Sequence, residues 1–433
     1  GDRIEPAIEL VRHGRLDYLV FECLAERTIA LAQRARLADP AAGYDPLLDA
    51  RLRPILRDCA AQGVRIVSNM GAANPLAAAR HVARLAVELD LPDLRIAAVV
   101  GDDVLEIVRG SDRPLLEIAG EVVDLGESLV SANAYLGCGP IVEALAGGAQ
   151  VVITGRVADP SLFLGPLVHA FGWALDDWPL LGRGTLVGHL LECAGQVSGG
   201  YFVDPDLKSA PDLARLGFPL AEVASDGSAV ITKVEGSGGA VSVATCVEQM
   251  LYELHDPACY LTPDVRADFS TARFEQVGPD RVAVSGGGGR SRPEALKVSL
   301  GRKEGFIGEG AISYAGGSAL ARGRLALDIV SRRLEIIGVE PLDARFELIG
   351  VDAVAWPGLA GGASPMEVRA RVVARTDNAQ DAERVGREVE ALYTNGPAGG
   401  GGATRSVTPV IGVVSTLVER SLVRPRVLAE IAP

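Results

Sequence analysis

The sequence predicts an α/β protein: a Rossmann-like, mostly parallel sheet domain over residues 1–280, followed by a smaller α+β domain over residues 281–433. Two observations support this. Up to about Gly200, short β-branched apolar runs alternate with helix-like segments, which is typical of a parallel sheet with helices on both faces. After the glycine run at 286–289 the order changes to strand, strand, helix, strand, strand, helix, which is an α+β pattern.

The individual elements follow from hydrophobic periodicity and helix-start signals. Strands of the first domain are predicted at 16–21, 64–67, 96–100, 150–153, 229–233 and 240–243. Its helices are predicted at 22–37, 46–61, 75–89, 140–146, 161–171, 185–197 and 244–254. Strands of the second domain are predicted at 296–300, 306–314, 345–351, 367–374 and 407–414, with helices at 320–337 and 379–393. Pro75, Pro140 and Pro160 stand at helix starts, where a proline is tolerated because that position needs no intrahelical N–H donor.

Composition restricts the class of protein. With 433 residues, 48% of them hydrophobic, the chain can build two cores, and no apolar run approaches the roughly 18 residues of a membrane span. The net charge of −14 disfavours nucleic acid as a partner. Six scattered cysteines without a CxxC pair indicate reduced thiols and a cytoplasmic location, and the first residues lack a signal-peptide pattern.

The most informative stretch is VVITGRVADP, residues 151–160, a buried strand that ends in a polar loop before a helix. Other predicted strands also end in polar residues, among them Glu22, Asn69 and Asp102. In an open α/β sheet, ligands bind at the carboxyl ends of the strands. We therefore expect these side chains to face a single crevice.

Nine residues are candidates for this site. The predicted catalytic residues are Glu22, His189 and Glu192, and the predicted substrate-binding residues are Asn69, Asn74, Asn133, Thr154, Arg156 and Asp159. Arginine at a strand end can hold a carboxylate or phosphate in a bidentate pair. The alternative is that Arg156 pairs with Asp159 while Asp159 caps the following helix.

The remaining candidates also have structural alternatives. Glu22 can act as a general acid or base, whereas Glu26, one turn later, is an ordinary partner of a helix dipole. Asn69 can polarise a carbonyl group, and Asn74 is well placed as a helix cap. A His189–Glu192 couple can transfer protons, although hydrogen bonding across a domain junction would explain it equally well.

No cofactor is predicted from the motifs. Asp102 and Asp103 with Glu22 can chelate Mg²⁺, but paired aspartates after a strand are also common turn residues. Cys138 precedes a helix start that can lower a thiol pKa, without a histidine nearby in sequence. Neither glycine run, 286–289 or 399–402, matches a phosphate-binding motif, so we interpret both as tight loops.

Several co-linear stretches together resemble the acyclic terpene utilisation family AtuA. They are GDRIEPAIEL, LDYLVFECLAERTIAL, VSNMGAANP, VVITGRVADPS, GHLLECAGQVSGGYF, VATCVEQMLYEL, YLTPDV and GPAGGGG. The resemblance covers essentially the whole chain. It implies a catabolic context, the degradation of branched acyclic acids through coenzyme A thioesters, and a short strand with a glycine-containing loop upstream of Gly1.

This resemblance and the strand-end residues lead to two functional hypotheses. The first is a catabolic enzyme, of lyase, hydratase or hydrolase type, that acts on a branched carboxylic acid or its acyl-CoA thioester. In it Arg156 and Asn69 hold the substrate, and Glu22 or the His189–Glu192 couple moves protons. The second is a non-catalytic binding or assembly subunit that partners an acyl-CoA carboxylase or another pathway enzyme. Either protein is expected to be a homo-oligomer without a membrane partner.

Overall fold

The computed structural model describes residues 3–354 and 365–429. Its helices are α1 (Glu5–His13), α2 (Glu26–Ala38), α3 (Leu48–Leu52), α4 (Leu56–Gln62), α5 (Pro75–Glu88), α6 (Leu105–Val108), α7 (Gly139–Ala146), α8 (Ser161–Phe171), α9 (Trp178–Glu192), α10 (Val243–Leu251), α11 (Ala319–Ile336), α12 (Ala379–Glu390) and α13 (Leu392–Asn395). Short 3-10 helices cover Val122–Ser128, Ala194–Gln196, Leu213–Arg215 and Arg420–Leu422. No helix in this described part is long and apolar enough to cross a bilayer.

The strands form both parallel and antiparallel sheets. They are β1 (Tyr18–Phe21), β2 (Arg65–Ser68), β3 (Ile96–Val100), β4 (Leu129–Ala134), β5 (Val151–Thr154), β6 (Pro219–Val223), β7 (Ala229–Lys233), β8 (Tyr260–Leu261), β9 (Arg266–Asp268), β10 (Arg273–Gly278), β11 (Arg281–Ser285), β12 (Gly288–Arg290), β13 (Ala295–Ala315), β14 (Asp343–Ile349), β15 (Glu367–Thr376), β16 (Gly401–Glu419) and β17 (Arg426–Leu428). The protein is therefore a mixed α/β protein, and the finer Rossmann-like description stays a prediction.

The chain divides into two compact units, residues 1–301 with 413–433, and residues 302–412. Both divisions fall inside long strands, β13 and β16, rather than at a loop. Because each strand continues across the division, the amino-acid composition does not change there and does not mark the boundary in the sequence. The boundary predicted at residues 280/281 stays a prediction.

The site of interest lies on the parallel sheet of the first unit. Its strands run parallel in the order β1-β2-β5-β3, and β17 pairs antiparallel with β3. Every residue of β5 is buried, as expected for a strand covered by helices on both faces. Side chains of α1, α4 and α5 pack on one face and those of α7 on the other. The carboxyl ends of the four parallel strands consequently meet at one edge.

Two antiparallel sheets complete the first unit, with strand orders β10-β11-β7-β6 and β12-β9-β8. A third hydrophobic cluster joins them to α8, α9 and α10. Gly182 of α9 permits a very close approach to β12, since a Cβ atom there would lie only 1.9 Å from the Gly288 carbonyl oxygen. This packing holds α9 against the sheet β12-β9-β8.

The second unit contains an antiparallel sheet in the order β14-β15-β13-β16. The sheet is covered by α11 and α12, whose residues Val330 and Val385 are buried against Val372 of β15. The amphipathic patterns of these two helices explain why they pack on a sheet face rather than stand in solvent.

Several sequence-based boundaries differ from the structure. Residues 22–25 form a loop, so Glu22 precedes α2 rather than starting it. The helix predicted at 46–61 is two short helices, α3 and α4, and the strand predicted at 240–243 has no partner and leads into α10. Residues 296–314 form one strand, since Gly305 adopts φ +83° within β13 without ending it.

Candidate active site

Glu22 and Asn69 lie side by side at the ends of β1 and β2. The Asn69 amide donates from Nδ2 to Glu22 Oε1 over 3.1 Å and accepts at Oδ1 from the Cys23 N–H over 2.7 Å. The Leu24 N–H also donates to Glu22 Oε1, over 2.7 Å. Asn69 is fully buried, whereas Glu22 is partly exposed. Asn69 thus orients the Glu22 carboxylate and uses both ends of its amide to do so.

Arg156, which follows β5, forms the floor of the crevice. Its guanidinium donates from Nε and Nη2 to the Val157 carbonyl oxygen, over 2.8 and 2.6 Å, and from Nη1 to the Leu24 carbonyl oxygen over 2.7 Å. Nη2 also pairs with Asp159. The side chain is 1% exposed and every guanidinium nitrogen has a protein partner. The ion pair of the structural alternative is therefore present, but Asp159 does not cap α8.

A buried carboxyl group supports this floor from behind. Asp102, at the end of β3, accepts at Oδ2 from the Asn133 Nδ2 group over 2.9 Å and from the Arg156 N–H over 3.0 Å. Burial raises the pKa of Asp102 to about 6 despite these two hydrogen bonds. Asn133 is also buried, and its Oδ1 has no hydrogen-bond partner. Thr154 is fully buried and donates to the Gly155 carbonyl oxygen.

One wall of the crevice holds an aromatic and cationic cluster that the sequence analysis missed. The Tyr135 hydroxyl donates to Glu26 over 2.6 Å, and the Lys297 ammonium lies 3.4 Å from the same carboxylate oxygen. Arg156 and Lys297 lie 4.5 and 5.1 Å from the centre of the Tyr135 ring. Burial acts to raise the pKa of Glu26, but the Tyr135 hydrogen bond and the Lys297 charge lower it overall. Lys297 remains 44% exposed, so its ammonium can reach a ligand.

A second polar group consists of His189 and Glu192, both on α9. His189 Nδ1 lies 2.7 Å from Glu192 Oε1, and His189 Nε2 lies 3.1 Å from the Met250 carbonyl oxygen. Glu192 Oε2 is buried without a partner. Burial opposes protonation of His189, but the hydrogen bond and charge of Glu192 raise the pKa of the imidazole. Burial also raises the pKa of Glu192. The helix predicted at 185–197 ends earlier in the structure, because α9 ends at Glu192 and Gln196 belongs to a 3-10 turn.

Three carboxyl groups near Arg156 influence one another electrostatically. Burial raises the pKa of Asp159, Arg156 opposes the shift, and the carboxylates of Glu22 and Glu192 raise it further. Glu22 likewise raises the pKa of Glu192. Such effects weaken with distance, so Glu22, Asp159 and Glu192 form an acidic cluster beside Arg156.

A cavity of about 610 Å³ adjoins Glu22 and Glu192. It runs between β1 and β6, each an edge strand of its own sheet within the described residues, and Phe163, Leu191 and Phe218 contribute to its apolar lining.

The other predicted residues lie outside this crevice or have structural partners. Asn74 caps α5 at Oδ1 and donates from Nδ2 to the carbonyl oxygens of Pro40 and Ala42. Asp103 lies 3.7 Å from Arg36 and accepts from the Leu105 N–H. Across the described ranges, no three His, Cys, Asp or Glu side chains are arranged to hold a metal ion.

Cys138 does not have the surroundings of a nucleophile. It is fully buried, and burial together with the Asp264 carboxylate raises the pKa of its thiol well above the ordinary value. The dipole of α7 does not overcome these two effects.

Tyr135 and Lys297 escaped the sequence analysis for a physical reason. Tyr135 directly follows β4, and its N–H donates to the Lys297 carbonyl oxygen of β13, over 2.9 Å and across 162 positions of sequence. β4 and β13 pair in the same sheet. The sequence held a partial signal for Tyr135, because the stretch NAYLGCGP at residues 133–140 also combines apolar residues with a polar one. No local pattern predicts that Lys297 lies beside it.

The family model described as "Acyclic terpene utilisation family protein AtuA" matches residues 1–429. No curated protein and no solved structure matches the chain.

Proposed function

Because the chain belongs to the acyclic terpene utilisation family AtuA, we propose that it is a catabolic enzyme acting on a branched acyclic carboxylic acid or its acyl-CoA thioester. Membership of the family suggests a role in acyclic terpene utilisation. The observation that carries the proposal is the convergence of Glu22, Asp159 and Glu192 above Arg156, with His189 bonded to Glu192. Buried carboxyl groups with perturbed pKa values in one crevice are typical of acid–base catalysis.

The hydrogen bonds of His189 define how this couple can hold a proton. The Met250 carbonyl oxygen can only accept, so Nε2 carries a hydrogen. His189 Nδ1 donates to Glu192 Oε1 when the imidazole is protonated, and it accepts from that oxygen when the carboxyl group holds the proton. His189 thus acts as a positioning residue and proton reservoir, and the partnerless Glu192 Oε2 acts on the substrate.

Glu22 provides the second acid–base group. Its Oε1 is held by Asn69 and Leu24, and its side chain is partly exposed to the crevice. Asn69 and Arg156 direct their polar groups to protein partners, so in this proposal they position Glu22 and Asp159. Lys297, which is exposed beside Tyr135, takes the substrate's carboxylate or thioester carbonyl group.

This arrangement suits the addition or removal of water. In a hydration, Glu22 accepts a proton from a water molecule while the water oxygen bonds to one carbon of a double bond. Glu192 supplies a proton to the neighbouring carbon. The atoms of one water molecule are added, and dehydration is the reverse. Hydrolysis of a thioester uses the same pair, with Glu22 activating water and Glu192 protonating the departing thiolate.

The test combines binding and turnover. Calorimetric titration with citronellic acid, its coenzyme A thioester and free coenzyme A is followed by mass spectrometry of the incubated mixtures. We expect Glu192→Gln and Glu22→Gln to retain binding and to lower turnover at least about 100-fold. Glu235→Gln, an exposed carboxylate in a turn, is the matched control and should behave as wild type.

Two results would contradict the proposal. Wild-type turnover in both glutamine variants would remove the carboxylates from the chemistry. Binding of neither acid nor thioester by the wild-type protein would favour the assembly-subunit alternative, whose partner would then be a pathway enzyme.

A further inference from the structure

A second groove lies beside α10. It has a volume of about 580 Å³, which falls within the range of roughly 300–1,000 Å³ typical of small-molecule sites. Tyr201, Phe202, Leu251 and Tyr252 line it, and Gln249 lies at its floor. The rings of Tyr201 and Tyr252 meet edge to face with their centroids 6.4 Å apart. We call these five residues the tyrosine groove.

Tyr201 is held in an unfavourable position. Its backbone has φ +61°, in the left-handed region, while its side chain is 88% exposed. That conformation is strained for a tyrosine, and the exposed ring gains little burial in return. Folding alone therefore does not explain why a large aromatic residue stands there, whereas a ligand that covers the ring would.

Gln249 supplies an independent observation. The residue is 3% exposed, and its Nε2 donates to the His189 carbonyl oxygen over 3.0 Å. This bond fixes the amide orientation, and Oε1 is then a buried acceptor with no hydrogen-bond partner. A buried acceptor without a donor is costly, so the groove suits a ligand that brings an N–H or O–H group.

The charged groups near the groove restrict the chemical class of the ligand further. Glu248 lies in the groove lining, and its carboxylate is already paired with Lys208 over 2.6 Å, while Lys208 also lies 4.7 Å from the Phe202 ring centre. The next acidic group is Glu253, directly after Tyr252. No unpaired cation lines the groove among the described residues, so it does not suit a phosphate or carboxylate. A neutral, slender chain that contains amide groups fits all three observations.

We propose that the tyrosine groove binds the amide-bearing arm of an acyl thioester, with Gln249 Oε1 accepting from an amide N–H. This inference rests on the proposed function and names the thioester, rather than the free acid, as the preferred substrate form. The Gln249–His189 bond places the groove next to α9, the helix that carries Glu192.

The experiment measures binding of three probes to the full chain by calorimetry. They are citronellic acid, its N-acetylcysteamine thioester, which has one amide N–H, and its S-propyl thioester, which has none. We expect the wild-type protein to bind the amide thioester about tenfold more tightly than the propyl thioester. Tyr201→Gly should lower the affinity for the amide thioester by about five- to tenfold and leave the affinity for citronellic acid unchanged.

Tyr201→Gly is chosen because glycine adopts this backbone without strain, so the variant should keep its melting temperature. Asp90→Gly relieves the same kind of backbone strain, at φ +57°, in an exposed residue. This control should not change the affinity for any of the three probes. Equal affinity of the two thioesters, or equal weakening of acid and thioester in Tyr201→Gly, would overturn this inference alone. Failure of the wild-type protein to bind any probe would overturn the proposed function with it.

Discussion

Replacement of Asp102 by asparagine tests the electrostatics of the crevice floor. Burial raises the pKa of Asp102 from 3.8 to about 6. A raised pKa means that the folded state holds the proton more tightly than the unfolded state. The stability contributed by the neutral carboxyl group is present in full below the unfolded value and is lost as pH rises towards 6. At 1.36 kcal/mol for each pKa unit, the loss amounts to about 3 kcal/mol by neutral pH.

The Asp102→Asn variant lacks this loss and keeps an acceptor for Asn133 and the Arg156 N–H. We therefore expect its free energy of unfolding, relative to wild type, to increase by about 3 kcal/mol between pH 3.5 and pH 7. Urea unfolding followed by circular dichroism at closely spaced pH values measures this difference. Asp103→Asn, an exposed carboxyl group at the same strand end, is the control for loss of one charge.

A pH-independent difference between Asp102→Asn and wild type would refute the reasoning, since it would mean that Asp102 carries the same charge in both states throughout. A relative stability that falls as pH rises would refute it more strongly, because the carboxylate would then stabilise the fold.

Three further predictions concern packing and reactivity. Arg156→Lys should lower the free energy of unfolding by about 3 kcal/mol in urea titrations, because an ammonium cannot replace the fork that bonds three protein groups. Iodoacetamide at pH 8 should modify exposed Cys259 and spare Cys138, whose buried thiol has a raised pKa, as read by peptide mass spectrometry. Gly182→Ala should lower the melting temperature, because its Cβ atom would overlap the Gly288 carbonyl and force α9 away from β12, at a cost of about 1–3 kcal/mol.

Each of these has a matched control. Arg53→Lys changes an arginine that is 45% exposed and should alter stability little, so an equal loss would contradict the importance of burial at Arg156. Gly139→Ala adds a Cβ atom with no neighbour within 4 Å and should be tolerated. Modification of Cys138 as fast as Cys259 would show that the interior of this unit opens readily.

Local patterns in the sequence were sufficient for several elements. β3 at Ile96–Val100 and α8 at Ser161–Phe171 were predicted to the residue. Asn74 was predicted to bind substrate, with a helix cap as its structural alternative, and the structure shows it accepting from the Ala77 N–H as that cap. These features depend on short-range properties, namely burial period, β-branching and the unpaired N–H groups of a first turn, which neighbouring residues alone determine.

Local patterns failed where the backbone depends on distant contacts. Residues 240–243 have the composition of a strand, but the N–H groups of Ala240 and Val241 donate to Ser198 and Asp280, and Ser242 caps α10. Glu22 was expected at a helix start, but Asn69 of the next strand holds it in a loop. The intrinsic preference of the residues favours one conformation, but the strand order and the hydrogen-bond partners determine which conformation forms.

The sequence by itself identified polar residues at the ends of parallel strands, because that position follows from one buried run and the loop after it. Only the tertiary structure determined which partners these and other polar residues contact. It turned Arg156 inward to a full set of protein partners, placed His189 of α9 within hydrogen-bond distance of Glu192, and brought Lys297 to Tyr135. The reason is that contacts across a sheet depend on the order β1-β2-β5-β3 and on the β4–β13 pairing, which no local window of the chain contains.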